Sequence, residues 1–224
     1  METVAYKQHI DTIIENIEKA RLHVSGYHIV KIVAVSKYSD AEAVQSLYEI
    51  GQRAFGENKV QDLKAKSETL DEFPLEWHFI GNLQKNKINQ LLGIEPFLFH
   101  GLDSLELAEA LQKRLEAKNQ TLDSLLQINS ANEESKSGVQ AEMASDLYAQ
   151  IRETCPNINL KGVMSIGAHS QEKALIQKSF EKTYSIFESL PEANICSMGM
   201  SGDYDLAIEC GSNMVRLGSV MFPK

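Results

Sequence analysis

Hydrophobic positions along the chain follow two alternating periods. Residues 2 to 22 place Val4, Ile10, Ile13, Ile14 and Ile17 at helical spacing with charges between them, which predicts an amphipathic N-terminal helix. After it, short apolar runs recur: IVAVSK (32–37), RAFGEN (53–58), EWHFIG (76–81), FLFHGL (97–102), SLLQINS (124–130), KGVMSIG (161–167), NICSMGM (194–200) and MVRLGSVMF (214–222). Runs of this kind, bounded by polar clusters, predict strands buried on both faces, as parallel strands are. Helical patterns separate them, among them AEAVQSLYEIG, SLELAEALQKRLEAK and KALIQKSFEKTYSIFESL. In the last, Phe180, Tyr184, Phe187 and Leu190 form an inward-facing stripe.

Eight strands alternating with helices predict an α/β fold of the (β/α)8 barrel type, with a doubly wound open sheet as the weaker alternative. No long linker, repeat or low-complexity tract interrupts the pattern, so a single domain over residues 1–224 is expected, with no second domain. The last run leads directly into Phe222-Pro223-Lys224, so the eighth helix is expected to be missing or replaced, its place taken by the N-terminal helix.

Composition narrows the partners. The 224 residues carry 22 Lys and Arg against 31 Asp and Glu, a net charge of −9 that argues against nucleic acid and against an anionic membrane surface. Cys155, Cys196 and Cys210 are an odd number without metal-ligand spacing and read as reduced core thiols. No stretch is apolar for the roughly 18 residues a membrane span needs, and a soluble cytoplasmic protein is expected.

In a barrel the chemistry gathers at the carboxyl ends of the strands. Those ends here hold Lys37 on the first run, Glu57 and Asn58 on the second, Gly81 on the third, Asn129 on the fifth, Met200-Ser201-Gly202 on the seventh and Arg216 to Ser219 on the eighth. Ser201 and Gly202 before a helix opening at Asp203, with Arg216, Gly218 and Ser219 in the neighbouring loop, are the residue types of an anion cradle: hydroxyls, accessible backbone N–H groups and a guanidinium. Lys37 is the neighbour of these loops around a closed barrel. An amine in an electropositive, partly desolvated pocket is a nucleophile toward an aldehyde. The ligand would be a phosphorylated carbonyl compound, pyridoxal phosphate or a phosphosugar. Glu57 and Asn58 either orient the lysine or ligand ring or cap the following helix. His78 reads as a satisfied core group, Lys85 and Lys87 as candidates for the mouth, and Lys136 in NSANEESKSGV either as part of a loop over the site or as solvated surface.

These stretches, AVSK, FGENKVQD, WHFIGNLQKNK, LLQINSANEESKSG and SMGMSGDYDLAIECGSNMVRLGS, resemble the pyridoxal phosphate homeostasis protein family, barrels similar to the N-terminal domain of alanine racemase. The likeness runs from about residue 30 to residue 222. It implies a fold-type III barrel in which Lys37 holds pyridoxal phosphate as a Schiff base, with the phosphate on Ser201, Gly202, Arg216, Gly218 and Ser219. The family implies a monomer that binds, buffers and delivers the cofactor, with apo enzymes as recipients and no turnover of its own. Three departures stand out: Tyr38-Ser39-Asp40 follows the lysine where a proline is usual, leaving that turn less rigid; Gly167 replaces a proline; and Ser219 replaces a threonine. Two other functions are weighed beside the carrier. One is a racemase-like enzyme using the same cofactor. The other is a Schiff-base phosphosugar aldolase, ranked last because the sixth run has its only lysine, Lys161, at the end away from the mouth.

Overall fold

A computed structural model describes residues 2–133 and 136–222. Glu134 and Ser135 of the polar exit after the fifth run, and Pro223-Lys224, lie outside the described residues, as does the side chain of Val4. In chain order the elements are α1 (Glu2–Val24), β1 (Lys31–Val35), α2 (Ala41–Glu49), β2 (Ala54–Glu57), α3 (Val60–Thr69), β3 (Glu76–Phe79), α4 (Ile88–Ile94), β4 (Leu98–Leu102), α5 (Leu105–Lys118), β5 (Leu122–Asn129), β6 (Val139–Gln140), α6 (Ala144–Thr154), β7 (Ile158–Ser165), α7 (Lys173–Ser189), β8 (Ile195–Met200), α8 (Tyr204–Glu209) and β9 (Met214–Leu217).

Eight parallel strands close on themselves in the order β4-β3-β2-β1-β9-β8-β7-β5, with β5 returning to β4. The closed barrel is the predicted architecture, and the open sheet is excluded. The two-residue β6 adds to β5 through Ile128 and Asn129 and is too short to leave a periodic signal. The last strand stops at Leu217, because Gly218 to Phe222 turn back on themselves through bonds from Met221 N and Phe222 N to Gly218 O.

Strand alternation divides the core in two. One layer fills the barrel itself with one residue from each of six strands, Val33, Ala54, Leu98, Leu125, Met164 and Met214. The other, much larger, lies between strands and helices. Phe55, Trp77, Phe79, Phe99 and Val215 contribute from the sheet, and Leu63, Leu91, Leu111, Ile151 and Phe180 from the helices. The stripe on α7 packs there, Phe180 and Leu190 buried and Tyr184 and Phe187 against the cluster. On α1 the buried face is Ile13, Ile17 and Ala20; Ile14, expected on that face, is 43% exposed because it lies a residue off the stripe. That face rests on α8, with Asn16 Nδ2 donating to Tyr204 Oη at 3.4 Å and His9 bonded to the Val220 carbonyl. The N-terminal helix thus packs on α8 and meets the turn that follows β9.

At one point the barrel requires glycine. Gly162 in β7 has φ +147, and a Cβ there would stand 1.9 Å from the Ile195 carbonyl oxygen, so β7 meets β8 only without a side chain. The β5–β7 register shifts next to it, between Ser124 and Leu125.

Candidate functional site

Lys37 sits just past the carboxyl end of β1, exposed at the barrel mouth, its Nζ 5.0 Å from the centre of the Tyr38 ring. The turn that carries it is fixed from three sides. Ser39 N donates to Ser36 O at 2.9 Å, Asp40 caps α2 by accepting from Ala43 N at 2.9 Å, and Lys66 Nζ from α3 donates to the same Ser36 carbonyl at 2.7 Å. These bonds hold the turn without the usual proline, so the expected loss of rigidity is offset.

Beneath that turn lies a buried ion pair. Glu57, at the end of β2, faces outward toward α3 and is fully buried. Its Oε1 accepts from Ser36 Oγ at 2.6 Å and from Lys66 Nζ at 2.5 Å. Ser36, the residue before Lys37, is therefore held by both its hydroxyl and its carbonyl. Of the roles posed for Glu57, it caps no helix and instead fastens the strand end that presents Lys37. Asn58 is exposed at the lip of β2; it does not cap α3 either, whose first flanking residue is Lys59, without a side-chain cap. Nothing in the sequence marks Lys66, nine residues beyond Glu57, because only the packing of α3 on β2 and β3 brings it there.

The two loops of the expected cradle meet. β9 lies between β1 and β8, and Gly218 N donates to Ser201 Oγ at 3.1 Å, tying the exit of β9 to the exit of β8. Gly218 also lies against Val35, the last residue of β1. A Cβ on Gly218 would meet protein no closer than 3.7 Å, and one on Gly202 would meet nothing within 4 Å. Neither glycine is needed to accommodate the protein itself; Gly202 leaves backbone open at the mouth, and Gly218, whose N–H is given to Ser201, leaves room beside it. Ser219 is exposed beside them. Asp203 turns inward, accepting from Met200 N at 2.6 Å, and its burial pushes its carboxyl above the usual range, against the pull of that N–H and of Arg216.

Arg216 is placed differently from the sequence expectation. It is 4% exposed and points into the barrel, where Nη1 donates to Ser197 O at 2.8 Å and Ser197 Oγ at 2.7 Å, and Nη2 donates to Ser165 O at 2.8 Å. Its fork is engaged by β7 and β8 and underlies the cradle as a fixed cation. Burial brings its pKa down to about 10, partly opposed by Asp203.

The polar exit of β5 is ordered by its own side chains. Asn129 Nδ2 donates to Glu133 O at 2.9 Å, Lys136 Nζ to Glu133 Oε1 at 3.0 Å and to Gly167 O at 2.6 Å, and Glu133 Oε1 accepts from His169 N at 2.8 Å. Lys136 thus stitches the β5 loop to the β7 loop at Gly167. Lys85, between β3 and α4, is ion-paired with Glu106 in the first turn of α5. Lys161 pairs with Asp123 at 3.4 Å, in the part of β7 before the mouth. The thiols of Cys155 and Cys196 are buried and free; Cys210, expected in the core, is half-exposed, its pKa raised to about 11 chiefly by desolvation.

Among the described residues no helix is long and apolar enough to cross a membrane. Residues 8–223 match the family described as alanine racemase, N-terminal domain. A pyridoxal phosphate homeostasis protein of Helicobacter pylori strain J99 is 56% identical over 217 residues, 97% of this chain and 98% of that relative. The human protein of the same name is 36% identical over 86% of this chain and 75% of its own length. Among solved structures, PipY of Synechococcus elongatus with PLP bound superposes with a TM-score of 0.81 at 27% identity, covering 97% of this chain and 99% of PipY. An alanine racemase of Clostridium difficile, 14% identical, shares the fold with a TM-score of 0.74 over 97% of this chain and 58% of the racemase. The chain belongs to the pyridoxal phosphate homeostasis protein family, within the wider group built on the alanine racemase N-terminal domain.

Proposed function

We propose that this protein binds pyridoxal phosphate at the carboxyl end of the barrel, buffers it and hands it on to apo enzymes, with no robust turnover of its own. The observation that carries the reading is the convergence of three adjacent strand exits: Lys37 after β1, Gly218-Ser219 after β9 and Ser201-Gly202 after β8, with the last two loops bonded to each other. When bound, the cofactor supplies an aldehyde that a lysine amine can attack, and a phosphate dianion. Lys37 is the accessible amine at that mouth. Ser201 and Ser219 supply hydroxyls, Gly202 supplies approachable backbone, Gly218 supplies room, and buried Arg216 adds positive charge from below. The glycines leave the room the cofactor phosphate needs, so the residues fit the group. Exposed Asn58 serves as a rim contact.

The carrier reading, in place of a racemase, is supported by relatives at up to 56% identity that are named for homeostasis of the cofactor. We take the unit that does this to be the single barrel, acting as a monomer in the cytoplasm. The test is borohydride reduction of the purified protein after incubation with pyridoxal phosphate, followed by peptide mapping. Label on Lys37, lost in Lys37→Ala, supports the reading; label elsewhere, or none, refutes it. D-alanine formed from L-alanine faster than with free cofactor would overturn the non-catalytic part.

A further inference from the structure

Below Arg216, along the barrel interior, runs a row of polar side chains for which packing of the core gives no reason. Arg216 Nη1 donates to Ser197 Oγ at 2.7 Å, and Ser197 Oγ lies 3.4 Å from His100 Nδ1. His100 Nε2 lies 2.9 Å from His78 Nδ1, and His78 Nε2 faces Glu76 Oε2 at 4.0 Å. Ser197, His100 and His78 have no exposed surface and Arg216 only 4%. Glu76 and its ion-pair partner Lys31 each open a strand, so they form the rim opposite the mouth. The row spans the barrel from a cation beneath the site to a carboxylate at the far end.

Counting protons gives the row a direction. A guanidinium only donates, so Ser197 Oγ accepts from Arg216 and has its one O–H left to give. The other end of the row sets which way it goes: the Glu76 carboxylate, 4.0 Å from His78 Nε2 and beyond hydrogen-bond reach, favours a proton on that nitrogen, so His78 Nδ1 and in turn His100 Nδ1 are the accepting atoms. His100 then carries its proton on Nε2 and donates to His78 Nδ1, which leaves the His78 proton on Nε2, facing Glu76. Each imidazole is neutral in a single tautomer, and every bond points from Arg216 toward Glu76. Burial disfavours the cationic form of both rings, and Arg216 and Lys31 oppose it further, against Glu76 alone. Protonating His100 would place an N–H on Nδ1 against Ser197 Oγ, which would then accept from two donors and leave its own O–H without the His100 acceptor.

We propose that His100 and His78 are positioning residues for Arg216: their fixed neutral tautomers give the Ser197 O–H an acceptor, so its oxygen stays turned to the guanidinium and holds it beneath the mouth, and the far half of the barrel interior sets cofactor affinity. The effect on affinity rests on the reading of the mouth as a pyridoxal phosphate site.

The test begins with ligand-free, full-length protein labelled with 15N-histidine. NMR of the ring nitrogens near pH 7.5 should show both His78 and His100 neutral and protonated on Nε2. A proton on Nδ1 of either ring, or a charged ring at that pH, overturns the proposal. Titration with pyridoxal phosphate should then show affinity about fivefold weaker for His100→Leu, the worth of a typical buried hydrogen bond, and partly restored in His100→Gln, which keeps a donor toward His78. Unchanged affinity in folded His100→Leu also overturns it; if that variant fails to fold, the wild-type ring spectra decide. Absence of binding to wild type would instead sink the functional reading and the affinity effect with it, while the tautomers still decide whether the row holds Arg216.

Discussion

Removing the ammonium of Lys66 tests whether the buried pair under Lys37 does what its geometry implies. Glu57 is wholly buried and the Lys66 side chain 13% exposed, so Lys66→Met strands a carboxylate that retains only the Ser36 hydroxyl as partner. Breaking a buried ion pair from one side typically costs 3–5 kcal/mol; the partial exposure of Lys66 places this case near the lower end, about 3 kcal/mol. For a domain of this size that is a fall in Tm of roughly 6 to 12 °C. The double variant Glu57→Leu/Lys66→Met removes the stranded charge and should recover most of the loss, leaving ~1 kcal/mol for the bonds that Ser36 gives up. Urea denaturation of wild type, both single variants and the double variant measures the cycle. A single-variant loss under ~1 kcal/mol, or a double variant no more stable than Lys66→Met, would refute the reasoning. In the same proteins, borohydride trapping of pyridoxal phosphate should slow in Lys66→Met, since the Ser36 carbonyl before Lys37 loses a donor held at 2.7 Å.

Three further outcomes follow from single sites. Gly218→Ala should leave stability within about 1 kcal/mol, since its Cβ meets only ordinary contacts, yet weaken cofactor binding about tenfold or more by filling the cradle; equal affinity by titration would count against the cradle. Gly162→Ala should destabilise by at least about 2 kcal/mol, because the new methyl would collide with the Ile195 carbonyl at a φ of +147, and a near-neutral result in urea would contradict the strand geometry. The depressed pKa values of His78 and His100 fix a sign: the unfolded rings take up protons near 6.5 and the folded ones only at lower pH, so stability conferred above 6.5 is lost as the pH falls below it. Denaturation midpoints measured from pH 7.5 down to 5 should decline, and less so in His100→Leu; a flat profile would show that the folded rings titrate normally.

Periodicity carried most of the architecture. Apolar runs separated by amphipathic segments identify eight barrel strands because burial on both faces leaves a mark in each strand on its own. Boundaries were less legible. The apolar pattern of the last run continues to residue 222, but its strand ends at Leu217, where the chain turns on Gly218, and apolar content alone does not separate a strand from a buried turn. Lys37 and the small residues near 201 and 218 could be placed at one mouth from strand order alone, because chain order fixes neighbours in a closed parallel barrel.

The tertiary structure decided which partners those residues meet. Arg216 reads in sequence as a guanidinium free to bind an anion, but strand pairing turns it inward onto Ser197 and Ser165. Glu57 reads as a residue at the lip, yet the pleat sends it outward to Lys66. His78 and His100 lie in separate runs, and their contact at 2.9 Å exists only because β3 and β4 are adjacent and both side chains face the interior. By itself the sequence determined the barrel and which residues gather at its mouth, since these depend on local pattern and strand order. Which side chains touch a ligand and which only hold the others in place depended on the facing of each strand and on the packing of distant helices, interactions that no local stretch of sequence encodes.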